Sequence, residues 1–315
     1  MDEHKLLVSP APHFRRKRDT QAIMLDVIIA LMPSFIAAAI LFGWRALLVV
    51  AVCSATCFAS ELLFELICKR PITTSDFSAI VTGMLLGFNL PHTVPIWQAI
   101  IGSVVAIVVV KQLFGGIGKN FANPAITARI VMTVSFASSM TNFQTVDGVS
   151  SATPLAKMGE NNILDLLLGR QTGSLGEVCS LAIIIGGVYL LCRRVITWHI
   201  PVTFIGTVAV FGAIAGHNPL EYILCGGLML GAFFMATDYS TSPSTKLGKI
   251  IFGVGCGLIT FVIREFGGYP EGVSFAILFM NILAPYISAL TRKRPFGAPK
   301  GKKVKKSEKT GGEGL

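Results

Sequence analysis

Apolar residues run in ten stretches, at about residues 21–43, 45–68, 76–90, 95–111, 124–141, 175–192, 200–216, 219–237, 248–264 and 272–290, each closed by polar residues or by Gly and Pro. They are continuous rather than one-sided or alternating, which is the pattern of helices surrounded by lipid. Several fall short of the roughly 20 residues that a straight span needs, so broken or tilted helices are expected among them. Gly/Pro breaks lie at Asn89-Leu90-Pro91 with Pro95, from Gly115 to Pro124, from Ser240 to Pro243 and from Gly267 to Pro270. The first five stretches and the last five read as one duplicated unit, with Phe114-Gly115-Gly116 before the fifth echoed by Phe266-Gly267-Gly268 before the tenth. Five is odd, so the copies would be inverted across the membrane, an arrangement that places sites near the midplane at interrupted helices. The expected fold is an all-α polytopic membrane protein with about ten transmembrane helices as two inverted five-helix repeats. Its parts would be an N-terminal tail (1–20), a first repeat (21–141), a loop (142–174), a second repeat (175–290) and a basic tail (291–315).

Composition agrees: of 315 residues 52% are hydrophobic and 14% charged, and the mean hydropathy is +0.67. The net charge of +10 could suggest nucleic acid, but its placement argues otherwise. Residues 292–315 carry nine Lys or Arg against Glu308 and Glu313, and residues 1–20 carry five against three. Basic tails flanking spans are the positive-inside signal, so both termini are expected in the cytoplasm, next to lipid headgroups, with no role in binding nucleic acid. Lys69, Arg70, Lys111, Lys119, Arg193, Arg194, Lys246 and Lys249 then mark inner loops, and 142–174 falls outside. The polar first 20 residues lead into a full-length apolar span, which is not the form of a cleaved signal peptide. The seven cysteines form no C-x-x-C pair and the histidines no ligand-spaced pair, so no metal site is expected.

The densest candidate chemistry is the loop Asp147-Gly148-Val149-Ser150-Ser151-Ala152-Thr153, which ends in a hydroxyl at a polar, solvent-reachable strip. An unmodified Ser/Thr loop is the alternative reading. Ionisable residues in apolar stretches are functional candidates by default. Asp76 and Asp238 are candidates for an ion path, with helix-end solvation as the alternative for each. Arg129 is the most costly charge to place in hydrocarbon and is expected to meet a carboxylate, a carbonyl or a cofactor phosphate. Asn123-Pro124 has the form of a helix start, an Asn cap before Pro at the first helical position. Lys157, Asn123 and Arg129 are together the candidates for a cofactor neighbourhood.

Asp147 to Thr153 resembles the D-G-x-S/T-G-A-T pattern at which a flavin transferase joins FMN through its phosphate to a threonine, in membrane subunits of Rnf complexes and of sodium-translocating NADH:quinone reductases. Other stretches resemble the Rnf D subunit: Gly115-Gly116 with Asn123-Pro124-Ala125, Gly231 to Asp238 with Ser242-Pro243, and Gly267 to Val273 with Met280-Asn281. Ser151 stands where the pattern usually has glycine. The resemblance implies covalent FMN on Thr153, with Lys157 and Arg170 available as counterions, and a second, noncovalent riboflavin at no position the sequence marks. It implies a flavoprotein subunit of a ferredoxin:NAD oxidoreductase that moves sodium or protons. Other subunits of that complex would carry the redox endpoints, in the cytoplasmic (inner) membrane of a bacterium or archaeon. A ten-helix solute channel or transporter without redox role would share the helix pattern, and a structural anchor would share the hydropathy.

The charge asymmetry predicts that an impermeant thiol reagent added to intact cells modifies a cysteine introduced at Ser150 and not one introduced at Ser307. The opposite labelling would reverse the topology.

Overall fold

The computed structural model describes residues 20–143, 162–169, 173–177, 179–267 and 272–292. Among these the chain is helical throughout, with no strand. Thr153 and its flanking Asp147, Gly148, Ser150, Ser151, Ala152 and Lys157 lie outside the described residues.

Four helices among the described residues are long and apolar enough to cross a membrane: α1 (Thr20–Phe42), α2 (Trp44–Ile67), α12 (Lys246–Phe266) and α13 (Val273–Thr291). At 1.5 Å per residue, the 23 residues of α1 reach about 35 Å, enough for the hydrocarbon core. Shorter apolar helices accompany them: α3 (Ser78–Phe88), α4 (Ile96–Val104), α5 (Pro124–Ser135), α8 (Ser180–Cys192) and α9 (His199–Ile214). Shorter pieces complete the described set: α6 (Ala137–Met140), α7 (Ile163–Leu168), α10 (Pro219–Leu224) and α11 (Leu228–Leu230). Two described segments are π-helical, Val105–Gln112 continuing α4 and Gly231–Met235 continuing α11.

Packing follows the small residues, because in lipid close backbone approach replaces the hydrophobic drive. On α3, Gly83 and Gly87 face α2 so closely that a β-carbon would come within 2.5 Å of Ser54 Cα and 2.9 Å of Val50 Cα. On α12, Gly253 and Gly257 take the same spacing against Thr203 and Thr207 of α9. In each half a four-residue glycine repeat thus fits one helix into its neighbour. Between the halves, α1 packs on α8 and α5 on α13. The first contact is pinned where Arg193, just past α8, reaches Asp26 of α1 at 3.0 Å and Tyr189 donates to the same carboxylate at 3.2 Å. In the repeated Phe-Gly-Gly, Gly115 and Gly116 are left-handed at φ 110° and 87°, whereas Gly267 is extended at φ −89°.

Helix α3 is only 11 residues long, about half of a span, and the chain turns at buried Asn89 and Leu90. The carbonyls freed there are taken up from afar: Gly176 N donates to Phe88 O at 2.7 Å and Leu175 N to Leu90 O at 3.1 Å. The stretch 219–237 is likewise divided, at Cys225 to Gly227, where Gly226 adopts φ 67°. Arg264 of α12 caps this second break, donating to Tyr222 O at 2.7 Å and Cys225 O at 2.9 Å. The Ser180 hydroxyl donates to Leu224 O at 3.2 Å. Both breaks obey one rule: without water, the orphan carbonyls of a helix end need donors from the protein.

Gly83→Val should force α3 away from the α2 backbone, costing about 1–3 kcal/mol by overpacking. Gly206→Ala on α9, with open space around the new methyl, should be tolerated. Thermal midpoints of the two variants in detergent check this; equal midpoints would contradict the packing.

Candidate functional site

Among the described residues, two groups of buried charge organise the interior. The first sits at the end of α2, where Glu61 (0% exposed) faces the π segment Val105–Gln112. Lys111 Nζ lies 2.6 Å from Glu61 Oε1, and both side chains are shut from solvent. Gln112 Nε2 donates to the same Oε1 at 2.7 Å, while the buried Oε2 has no partner among the described residues. Lys111 Nζ also donates to Ser78 Oγ at 2.6 Å. Ser78 in turn donates from both its Oγ (2.6 Å) and its amide (2.9 Å) to Asp76 Oδ1. A turn further along α2, Glu65 accepts from the Thr73 amide and hydroxyl at 3.0 and 2.5 Å, closing the α2–α3 turn. Arg70 donates to Gln112 O at 3.0 Å.

The second group lies at the break after α3. Arg129, in the second turn of α5, donates to Asn89 Oδ1 at 2.7 Å and pairs with Glu177 at 3.3 Å. The Ser174 amide donates to the other oxygen of Glu177 at 3.4 Å. Asn89 Nδ2 returns to Leu85 O at 2.6 Å. Helix α5 is held in place by Asn123, whose Oδ1 accepts from the Ala125 and Ile126 amides while its Nδ2 donates to Met235 O at 3.2 Å. The Asn-Pro start read from the sequence is present, and the cap also ties α5 to the second π segment.

Between these groups a recess opens at the end of the bundle that carries the α2–α3 turn and the 236–245 turn. Its cavity volume is about 90 Å³. Both π segments supply its wall, one through Lys111, the other through Phe233 and Phe234. π turns recur at functional sites, where the extra residue per turn re-aims side chains. Asn120 contributes a buried Oδ1 with no partner among the described residues, an acceptor able to take an N–H or O–H from a ligand. Asp238 stands at the wall, accepting from Ser240 Oγ at 2.8 Å and Thr241 Oγ1 at 3.2 Å. Burial holds its carboxyl above the ordinary range, against the hydrogen bonds it accepts. The recess thus joins an aromatic pair, an ammonium and one unfilled acceptor, Asn120 Oδ1.

Of the residues singled out from the sequence, Asn123 and Asp238 line this recess, and Asp76 reaches it through Ser78. Arg129 belongs to the separate group with Asn89 and Glu177. Lys111, read as an inner-loop charge, is instead 2% exposed inside the π segment. Glu177, near the start of the stretch 175–192, is not among the residues singled out from the sequence and owes its importance to Arg129. Glu61 carries one as an acid in an apolar stretch, but nothing in the sequence pairs it with a lysine 50 residues on.

Broken helices and buried ion pairs define the class, a polytopic membrane protein. The chain belongs to the NQR2, RnfD, RnfE family, which it matches over residues 7–297. It is 46% identical over 318 residues to the D subunit of the Na(+)-translocating ferredoxin:NAD(+) oxidoreductase complex of Acetobacterium woodii, covering 98% of this chain and all of that one. The D subunit of the proton-translocating ferredoxin:NAD(+) oxidoreductase complex of Clostridium ljungdahlii is 38% identical over 92% of this chain and 96% of its own length. The D subunit of the ion-translocating oxidoreductase complex of Marinobacter nauticus is 36% identical, with 95% and 97% covered.

Arg129→Met should destabilise the protein by about 3–5 kcal/mol, because Glu177 stays buried without the guanidinium. Adding Glu177→Gln should cost less than the sum of the two single changes. Denaturation of the three variants in detergent measures the coupling, and strict additivity would show that the pair does not act as a unit.

Proposed function

We propose that this chain is the D subunit of an Rnf-type complex, a membrane flavoprotein through which electrons pass between ferredoxin and NAD while sodium ions or protons cross the membrane. The end-to-end identity of 46% with a chain named for that role carries the reading. The other Rnf subunits are its partners and hold the redox endpoints. A solute channel without redox role would share the helices, but the relatives are named as oxidoreductase subunits.

Within that role the chain carries FMN covalently on Thr153, in the loop that begins at Asp147. Support comes from the sequence Asp147-Gly148-Val149-Ser150-Ser151-Ala152-Thr153 and from the need of a phosphoester for a hydroxyl at an accessible strip. Lys157 is available to the phosphate. The helices form two inverted five-helix repeats, 21–141 and 175–290. The reading is supported by the matched order of packing, α2 with α3 and α4 in one half and α9 with α10 and α12 in the other, and by the α1–α8 and α5–α13 contacts between halves. Both termini face the cytoplasm, the flavin loop 142–174 faces outward, and the tails 1–20 and 291–315 rest near lipid headgroups.

On this topology the recess opens to the cytoplasm, and we assign to it the second, noncovalent flavin that the family resemblance implies. A bound flavin supplies one- and two-electron transfer, while the protein sets its position and potential. Phe233 and Phe234 offer faces for the ring, Asn120 Oδ1 accepts from a ring N–H or a sugar hydroxyl, and Lys111 places positive charge at the wall. Asp238 and Asp76, at the same end, stand on the cytoplasmic approach to an ion path.

Thr153→Val keeps the side-chain shape and removes the nucleophile. The chain should still insert and assemble while losing the mass of one FMN and its in-gel fluorescence. Peptide mass spectrometry of the chain coexpressed with its flavin transferase decides the point. Flavin on Ser150 or Ser151, or none on the unaltered chain, would overturn the assignment.

A further inference from the structure

Helices α9 and α12 run side by side in the same direction, since Gly253 meets Thr203 and Gly257 meets Thr207. Their first turns therefore lie together at one end of the bundle, beside the turn between α8 and α9. Lys249 Nζ donates to Thr197 Oγ1 of that turn at 3.1 Å. Thr245, the cap of α12, meets Thr291 at the end of α13 with 2.5 Å between their hydroxyls. These contacts gather four cations, Arg194, Lys246, Lys249 and Arg292, none of which has a carboxylate partner among the described residues. Arg193 beside them differs, being paired with Asp26. Lys246 and Lys249, three apart, share a face of α12. Trp198, next along the turn, is 57% exposed and stacks on His199 with ring centres 4.3 Å apart. One turn into α9 the exposed side chain is Val202, and on α12 Leu247 and Ile251 are exposed as well.

We propose that this end of α9 and α12 binds the headgroup of an anionic phospholipid. Lys249, Lys246 and the Thr197 hydroxyl hold its phosphate, Trp198 sits at the level of the glycerol, and the acyl chains follow Val202, Leu247 and Ile251. The order of chemistry along the two helices, cations, then an indole, then aliphatic side chains, is that of a phospholipid from headgroup to tail. Indole prefers the boundary of headgroup and hydrocarbon, and basic groups at that depth attract anionic lipid. A free phosphate would leave the aliphatic surface unused. A zwitterionic lipid brings its own ammonium and would leave the lysines uncompensated. The inference rests on the chain spanning a membrane and not on the flavin reading. It has a consequence for the recess, because the turn between α8 and α9 has two sides. Arg194, Thr197 and Trp198 are exposed, whereas Val195 and Ile196 are buried and line the recess, where the Tyr239 hydroxyl donates to Val195 O. A lipid held outside therefore braces the recess wall.

The test uses the full chain in vesicles, with Trp44→Phe and Trp97→Phe so that Trp198 is the one tryptophan left. Dibrominated phosphatidylcholine quenches Trp198, and unbrominated phosphatidylglycerol relieves the quenching according to its preference for the site. That preference should be about 25-fold over phosphatidylcholine, about fivefold for each of the two lysines. Lys249→Gln should lower it about fivefold. Lys249→Arg should keep it. Lys69→Gln, which removes an exposed cation at the same end of the bundle, should leave it unchanged. Excess inorganic phosphate should not displace the lipid. Hydrogen exchange over 193–198 should be slower in phosphatidylglycerol than in phosphatidylcholine, and the difference should vanish in Lys249→Gln. Equal affinity for the two lipids overturns the proposal. So does a loss in Lys69→Gln as large as that in Lys249→Gln, which would mark diffuse surface charge, or displacement by phosphate, which would mark a free-anion site. A clear lipid preference with unchanged exchange over 193–198 would refute the bracing of the recess wall.

Discussion

Hydrocarbon offers nothing to a free carbonyl or a lone charge, and this constraint decides where the helices of this protein can stop. Helix α3 ends halfway because Leu175 and Gly176 return to bond the carbonyls of Leu90 and Phe88. Helix α10 ends because Arg264 and Ser180 bond those of Tyr222, Cys225 and Leu224. The two solutions differ in chemistry, backbone amides in one half and a guanidinium in the other, but meet the same demand. Each break frees a short reach of chain to carry polar side chains to membrane depth. Asn89 and, through Arg129, Glu177 occupy the first of these places.

Close helix contact is the condition for keeping such groups dry. Gly83 and Gly87 set α3 against the backbone of α2, the helix that carries Glu61. A side chain at either glycine would push α3, and Ser78 at its start, away from Lys111 and open the pair to solvent. Small residues and buried charges are therefore parts of one arrangement: the first bring the helices near enough for the second to find each other. Packing in this protein serves the position of charge as much as stability.

Much of this is readable in the residues and much is not. The spans are legible because lipid demands continuous apolar runs, and the cap at Asn123 because an N-cap is a local bond. The family, too, can be read, since Asn123-Pro124, Gly231 to Asp238 and the loop to Thr153 are contiguous motifs. Pairing across distance is hidden. Lys111 looks like an interfacial anchor from its place at the end of an apolar run, because snorkelling is the usual fate of such a lysine. Its burial depends on a π segment, and no local signal in Val105 to Gln112 announces one. Glu177 is hard to read for another reason, since an acid near the start of an apolar stretch passes for a helix-end residue until Arg129 is seen beside it. The Phe-Gly-Gly echo is legible in the letters, while the described backbone differs, left-handed at Gly115 and Gly116 and extended at Gly267.

The two π segments join these levels. An i→i+5 turn takes in one residue more than an α turn, so the face that a helix presents drifts along the segment. In Val105–Gln112 the drift ends with Lys111 and Gln112 both directed at Glu61 instead of at the headgroups. In Gly231–Met235 it aligns Phe233 and Phe234 with the recess and leaves Met235 O to Asn123. Relatives named for sodium and for proton translocation are 46% and 38% identical to this chain. The π turn lets Lys111 sit within reach of both Glu61 and Ser78 without a break in the helix that carries it.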